Sequence, residues 1–153
     1  MFNKILVAFD GSDQAKRALH YALVLSEKFS SELIILTVHQ RRVLPVVGIE
    51  DDSGWSAIDS DIQEKYWEAT KQYYTNTLNN AEEIAKRDYP LVKYVALLAE
   101  GRPSTEIIST AQRNEVDLII LGSRGIGGVS GWILGSISKS IVEHCKRPVF
   151  VVK

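Results

Sequence analysis

The sequence predicts an α/β fold: a three-layer sandwich in which a parallel sheet is covered by helices on both faces. Two observations carry that prediction. Residues 5–9 (ILVAF), 33–38 (LIILTV), 117–121 (DLIIL) and 149–152 (VFVV) are short runs that are apolar almost throughout, as strands buried on both sides are, whereas a half-exposed strand alternates. Segments with helical spacing separate the runs, and strand–helix alternation of this kind closes into parallel pairs through right-handed crossovers. The 153 residues suit a single domain, residues 1–153, large enough to bury a core without metal or disulfide.

In chain order, residues 5–9 form the first strand and stop at Asp10-Gly11-Ser12, a tight turn. Ser12 is placed to cap a helix in which Ala15, Ala18, Leu19, Ala22, Leu25 and Phe29 recur at helical spacing. Residues 33–38 make the second strand. From 39 to about 60 the pattern breaks, with Arg41, Arg42, Pro45 and the acidic group Glu50, Asp51 and Asp52. That group lacks calcium-loop spacing and reads as solvated. A long helix follows to about residue 87, with Ile62, Tyr66, Ala69, Tyr73 and Ile84 near one face and Leu78, Ala81 and Ala85 to one side. Tyr66, Trp67 and Tyr73 read as packing residues. Tyr89-Pro90 ends this helix, residues 92–99 give a third strand, and Gly101-Arg102-Pro103-Ser104 turns into a helix with Pro103 in its first turn. Residues 116–121 make a fourth strand. A last helix carrying Ile137, Ile141, Val142 and Cys145 leads to the fifth strand, 149–152.

Composition narrows the function classes. Eighteen basic against nineteen acidic side chains leave a net charge of −1, which calls for neither nucleic acid nor an anionic membrane. The single cysteine, Cys145, provides no disulfide framework. The N-terminus lacks signal-peptide layout and no apolar run reaches membrane-spanning length, so a cytoplasmic location is expected. His20 and His144 have no partner evident in the sequence and read as packing or surface residues, whereas His39 ends the second strand, closer to the candidate site, where one histidine does not make a mechanism.

The chemistry concentrates in residues 121–136, LGSRGIGGVSGWILGS, where six glycines lie between a strand and a helix. Glycine admits positive φ and close ligand approach, and the helix start presents unpaired N–H groups, so the stretch reads as a phosphate cradle. It is not a P-loop, because no Gly-x-x-x-x-Gly-Lys-Ser/Thr occurs. The dinucleotide fingerprint fails too, since Ser130 stands at the third glycine position. The spacing present is Gly122-x-x-Gly125, nine residues, then Gly135-Ser136. Gly127, Gly128 and Gly131 read as spacers, Trp132 as a loop anchor, and Ser136 as an N-cap ready to meet phosphate. Ligands of open parallel sheets bind at the carboxyl ends of the strands, which would align Asp10-Gly11-Ser12, Val38-His39, Gly101-Arg102 and the glycine stretch along one edge.

That spacing, together with Asp10, resembles the nucleotide-binding branch of the universal stress protein family. The segments VAFDGS (7–12), LTVH (36–39), GRPSTEII (101–108), DLIILGSRG (117–125) and RPVFVV (147–152) resemble family segments in family order. The resemblance implies a five-stranded sheet of order 3-2-1-4-5 and an ATP site with its phosphates on Gly122, Arg124, Gly125, Gly135 and Ser136. It further implies Asp10 against the nucleoside, the Val38 backbone at the adenine edge, Mg²⁺ with the phosphates, and a homodimer through residues 149–152. AMP or a cyclic nucleotide is the alternative ligand. The expected function is nucleotide-dependent regulation in a stress response. Slow ATP hydrolysis is the second reading, although the sequence shows no P-loop lysine and no residue to orient an attacking water. A dimeric interaction module without nucleotide is the third.

Overall fold

The computed structural model describes residues 1–40, 60–126 and 134–153. Nine elements follow one another: β1 (Lys4–Ala8), α1 (Asp13–Phe29), β2 (Glu32–His39), α2 (Ser60–Asp88), β3 (Tyr94–Glu100), α3 (Pro103–Arg113), β4 (Leu118–Gly122), α4 (Ser136–His144) and β5 (Val149–Val152). The five strands form one sheet in the order β3-β2-β1-β4-β5, and every neighbouring pair is parallel. This is the expected topology. The acidic group Glu50–Asp52, Gly127, Gly128, Gly131 and Trp132 lie outside the described residues.

Because successive strand residues point to opposite faces, the apolar runs fill two cores at once. Ile5, Val7, Phe9, Leu33, Ile35 and Ile120 pack with Leu19 and Leu23 of α1 and with Leu78, Ala81 and Ala85 of α2. Leu6, Ile34, Leu36, Ile119 and Leu121 face the other way, onto Ile107 and Ala111 of α3 and Ile141 of α4. Burial at this scale, at roughly 25 cal/mol per Å² of apolar surface, is the main term holding the layers together.

Local signals act where the sequence places them. The Ser12 hydroxyl accepts from Ala15 N–H at 3.2 Å to cap α1, and Pro103 sits in the first turn of α3. β4 starts at Leu118, just after Asp117, whose N–H donates to the Lys4 carbonyl at 2.9 Å and whose carboxylate accepts from the N–H groups of Asn3 at 2.6 Å and Lys4 at 3.0 Å. The bonds to the carboxylate hold its pKa below the usual carboxylate range.

Two expectations need correction. The face of α2 that meets the sheet is the stripe Leu78, Ala81 and Ala85, with Trp67 and Tyr74 partly buried on its continuation. Ile62, Tyr66, Ala69 and Tyr73, expected to pack, are exposed. Small Ala81 and Ala85 let the helix approach the sheet closely, and that sets its roll. In α4 only Ile141 and Ser138 are fully buried, Ile137 and Val142 are exposed, and Cys145 is the C-cap. None of the described helices is long and apolar enough to cross a membrane.

Candidate functional site

In this strand order the chain leaves β1 towards β2 on one side, while β4 lies on the other. A crevice therefore opens at the carboxyl edge between β1 and β4. A cavity of about 600 Å³ occupies that edge, and Asp10, Val38, Gly122, Arg124, Gly125, Gly135 and Ser136 all line it. The structure thus brings together all seven residues singled out from sequence. The remaining lining comprises an apolar floor including Phe9, Leu36 and Ile107, the polar Gln40 and Ser138, and a wall from α2: Tyr66, Thr70, Tyr73 and Tyr74.

Backbone contacts build the glycine end. One carboxylate oxygen of Asp10 accepts from Ser12 N–H at 3.0 Å, closing its own turn, and the other accepts from Ile126 N–H at 3.1 Å across the crevice. Asp10 is therefore a clamp joining the β1 turn to the β4 turn. The clamp explains Gly125, where any Cβ would collide with the Asp10 carboxylate. Gly122 is constrained in the same way by α1, since a Cβ there would lie 2.7 Å from the Gln14 Cβ. The Ser123 carbonyl accepts from Gly135 N–H at 2.8 Å and from the Ser138 hydroxyl at 2.7 Å, fastening the start of α4 to the end of β4.

Ser136 does not cap α4. Gly135 holds the N-cap position and Ser136 is the first helical residue. The hydroxyl that ties down the helix start is that of Ser138, which also donates to Gly135 O at 3.0 Å. No side chain caps this end and no acidic residue lies in its first turn. The opening turn of α4 lines the cavity with no side chain capping its N–H groups and with the positive end of the helix dipole behind them. Ser138 escaped the sequence reading because a serine one turn into a helix resembles a solvated position; its only signal was apolar spacing around Ile141.

The opposite end is formed by β2. Pairing with β1 ends at Ala8–Leu36, and Phe9 N–H reaches the Leu36 carbonyl at 2.8 Å. Backbone groups alternate sides along a parallel ladder. Two residues on, the Val38 amide and carbonyl therefore point to the side from which β1 has turned away. His39, the next residue, faces α2. It is buried, stacked on Trp67 at 4.2 Å between ring centroids and 5.0 Å from Tyr74. Burial lowers its pKa, with Glu100 opposing and Lys71 reinforcing the shift. Trp67 is thus the packing residue expected, whereas Tyr66 and Tyr73, 41% and 53% exposed, belong to the cavity wall. His20 and His144 lie elsewhere, His20 Nδ1 beside the Tyr89 hydroxyl at 3.1 Å and His144 Nδ1 beside Ser140 O at 2.8 Å.

The described lining contains no histidine, cysteine or lysine. Among the described residues no group of three or more His, Cys, Asp or Glu side chains is placed to hold a metal. What the site offers is a row of amides with Arg124 at one end and an apolar slot with a free strand edge at the other. That arrangement suits a ligand with anionic and planar apolar ends.

Fold and site together define an α/β protein with a binding cavity at the carboxyl edge of its sheet. The sequence places it more closely: the model of the universal stress protein family matches residues 1–153, and the chain belongs to that family. It is 33% identical to the universal stress protein YxiE of Bacillus subtilis, over 100% of both chains. It is also similar to MJ0577 of Methanocaldococcus jannaschii, at 26% identity and a TM-score of 0.76, covering 100% of this chain and 96% of that one. A universal stress protein from Archaeoglobus fulgidus, solved in complex with dAMP, shares the fold. It is 22% identical with a TM-score of 0.62, covering 98% of this chain and 97% of that one.

Proposed function

We propose that this protein binds an adenine nucleotide, ATP with Mg²⁺, at the carboxyl edge of its sheet and acts as a nucleotide-dependent regulator in a stress response. The observation that carries the reading is the convergence of Asp10, Val38, Gly122, Arg124, Gly125, Gly135 and Ser136 on one cavity that has an uncapped helix start at one end. In this reading the phosphates take the amides of the two glycine turns and of Ser136, with Arg124 adding charge. The adenine edge meets the Val38 backbone, and Asp10 holds the two turns in register beneath the nucleoside. Mg²⁺ is a hard cation that commonly takes phosphate oxygens and waters, and the absence of an acidic cluster among the described residues fits a metal held by the nucleotide. Occupancy regulates by binding two states of the protein unequally. The fold of this chain holds dAMP in the A. fulgidus protein.

A homodimer through β5 belongs to the same reading. β5 pairs with β4 on one side and ends the sheet. Its Phe150 is exposed, the kind of apolar edge that a second strand covers.

The test is mass analysis of ligand released on denaturing the purified protein, joined to titration of a Gly135→Leu variant with ATP. The backbone at Gly135, φ −64° and ψ 162°, accepts any residue without backbone strain, and circular dichroism checks that the variant folds. Its Cβ would come within 3.3 Å of the Ser123 carbonyl oxygen, and the rest of the side chain would crowd the phosphate end. Loss of ATP affinity by at least about tenfold is expected, and unchanged affinity would reject the assignment.

A further inference from the structure

The wall that α2 contributes is left unexplained by a site made of glycine turns and a strand edge. Tyr73 is 53% exposed, lines the cavity and meets Tyr74 edge-on at 5.4 Å. Behind it, Tyr74 lies 5.0 Å from His39, and His39 stacks on Trp67 at 4.2 Å. Four rings thus form a ladder rooted at the end of β2, with its last ring turned into the cavity. The ladder is stiff because its interior member, His39, is buried. Its root, His39, adjoins Val38, whose backbone a planar ligand edge would hydrogen-bond, and Tyr73 and Val38 line the same cavity.

Helix geometry separates Tyr73 from its neighbour on the wall. The Thr77 methyl lies 3.3 Å from the position of a Cβ at Gly11, so this turn of α2 is level with the strand ends. Tyr73 stands about 6 Å further out along the helix axis, and Tyr66 roughly 10 Å beyond Tyr73. Of the two rings Tyr73 therefore stands nearer the strand ends where Val38 lies, while Tyr66 stands towards the cavity mouth. The Thr70 hydroxyl between them is bonded to the Tyr66 carbonyl at 2.6 Å.

We propose that Tyr73 is the stacking platform for the ligand's base, making the site selective for ligands with a planar aromatic ring over bare polyphosphate. This rests on the nucleotide reading above and adds a residue to it. Base–aromatic stacking tolerates any base, so Tyr73 supplies affinity for a ring while the Val38 edge distinguishes one base from another.

The experiment is calorimetric titration of the full chain with ATP and, separately, with inorganic tripolyphosphate, for the wild type, Tyr73→Ala and Tyr73→Phe. Tyr73→Ala is expected to weaken ATP about tenfold and leave tripolyphosphate unchanged, and Tyr73→Phe to stay within about twofold of wild type. Unchanged ATP affinity in Tyr73→Ala overturns the proposal, as does an equal loss for tripolyphosphate, which would mark a general distortion of the site. A wild type that binds no nucleotide rejects the nucleotide reading itself. Circular dichroism of the variants confirms folding, which half-exposed Tyr73 does not govern.

Discussion

The two halves of α2 are continuous in backbone and opposite in duty. From Leu78 onward the helix lies on the sheet, with Leu78, Ala81 and Ala85 closing the core against β2, β3 and α1. Before Leu78 it runs past the carboxyl edge, and its Tyr66, Thr70, Tyr73 and Tyr74 line the cavity. Aliphatic and small residues occupy the half that packs; aromatic rings with polar tips occupy the half that faces the ligand space. One rigid element thereby fixes the wall of a site to the core of a fold, and a side chain in either half can be assigned by what its removal disturbs.

The largest separation is expected at Leu78, 8% exposed in the core cluster. Leu78→Ala should cost about 2–4 kcal/mol of unfolding free energy, from lost transfer energy and a residual cavity, as measured by urea titration. Ligand affinity per folded molecule should be unchanged. A variant of wild-type stability would show that this half of the helix is not the anchor.

The same contrast explains what could be read from the sequence. The inner strands β1, β2 and β4 were legible because doubly buried strands advertise themselves as continuous apolar runs, the partly buried edge strands β3 and β5 because turn residues bound them, and the glycine turns because close approach leaves no substitute. At Gly125 the spacing marked a place of close approach, and the structure shows that the Asp10 carboxylate is what approaches it. The roll of α2 was not legible. Tyr66 and Tyr73 share a helical stripe with Ile62, and periodicity cannot distinguish a stripe facing a sheet from one facing a cavity. The polar neighbourhood of Glu64, Lys65, Glu68 and Lys71, against Leu78, Ala81, Ile84 and Ala85 later on, was the available hint. Ser138 was hidden for another reason, since its partner, the Ser123 carbonyl, is a backbone atom that becomes a neighbour only after folding.

A smaller effect is expected at the junction of the halves, where His39 is enclosed by Trp67 and Tyr74, opposite Glu100 of β3 and near Lys71 of α2. Burial lowers its folded pKa beneath the ordinary value of 6.5. The unfolded chain therefore binds the proton first, and the unfolded state gains as pH falls. Stability from this group is fully present above about pH 6.5 and declines as pH drops through the lowered pKa. Urea midpoints measured from neutral to mildly acid pH should show that decline in the wild type and a shallower one in His39→Gln. Equal slopes would mean that the junction does not sense protonation.

The smallest effect belongs to the far end of the overhang. Tyr66 is 41% exposed and stands on the cavity wall away from the sheet, so its ring contributes little to folding. Tyr66→Ala should change unfolding free energy by less than about 0.5 kcal/mol, as surface substitutions do. A loss comparable to that of Leu78→Ala would erase the distinction between the halves and make the overhang a second core. A null result in urea would instead show that folding does not require the Tyr66 ring, leaving the cavity it lines as the reason for an aromatic at this turn of α2.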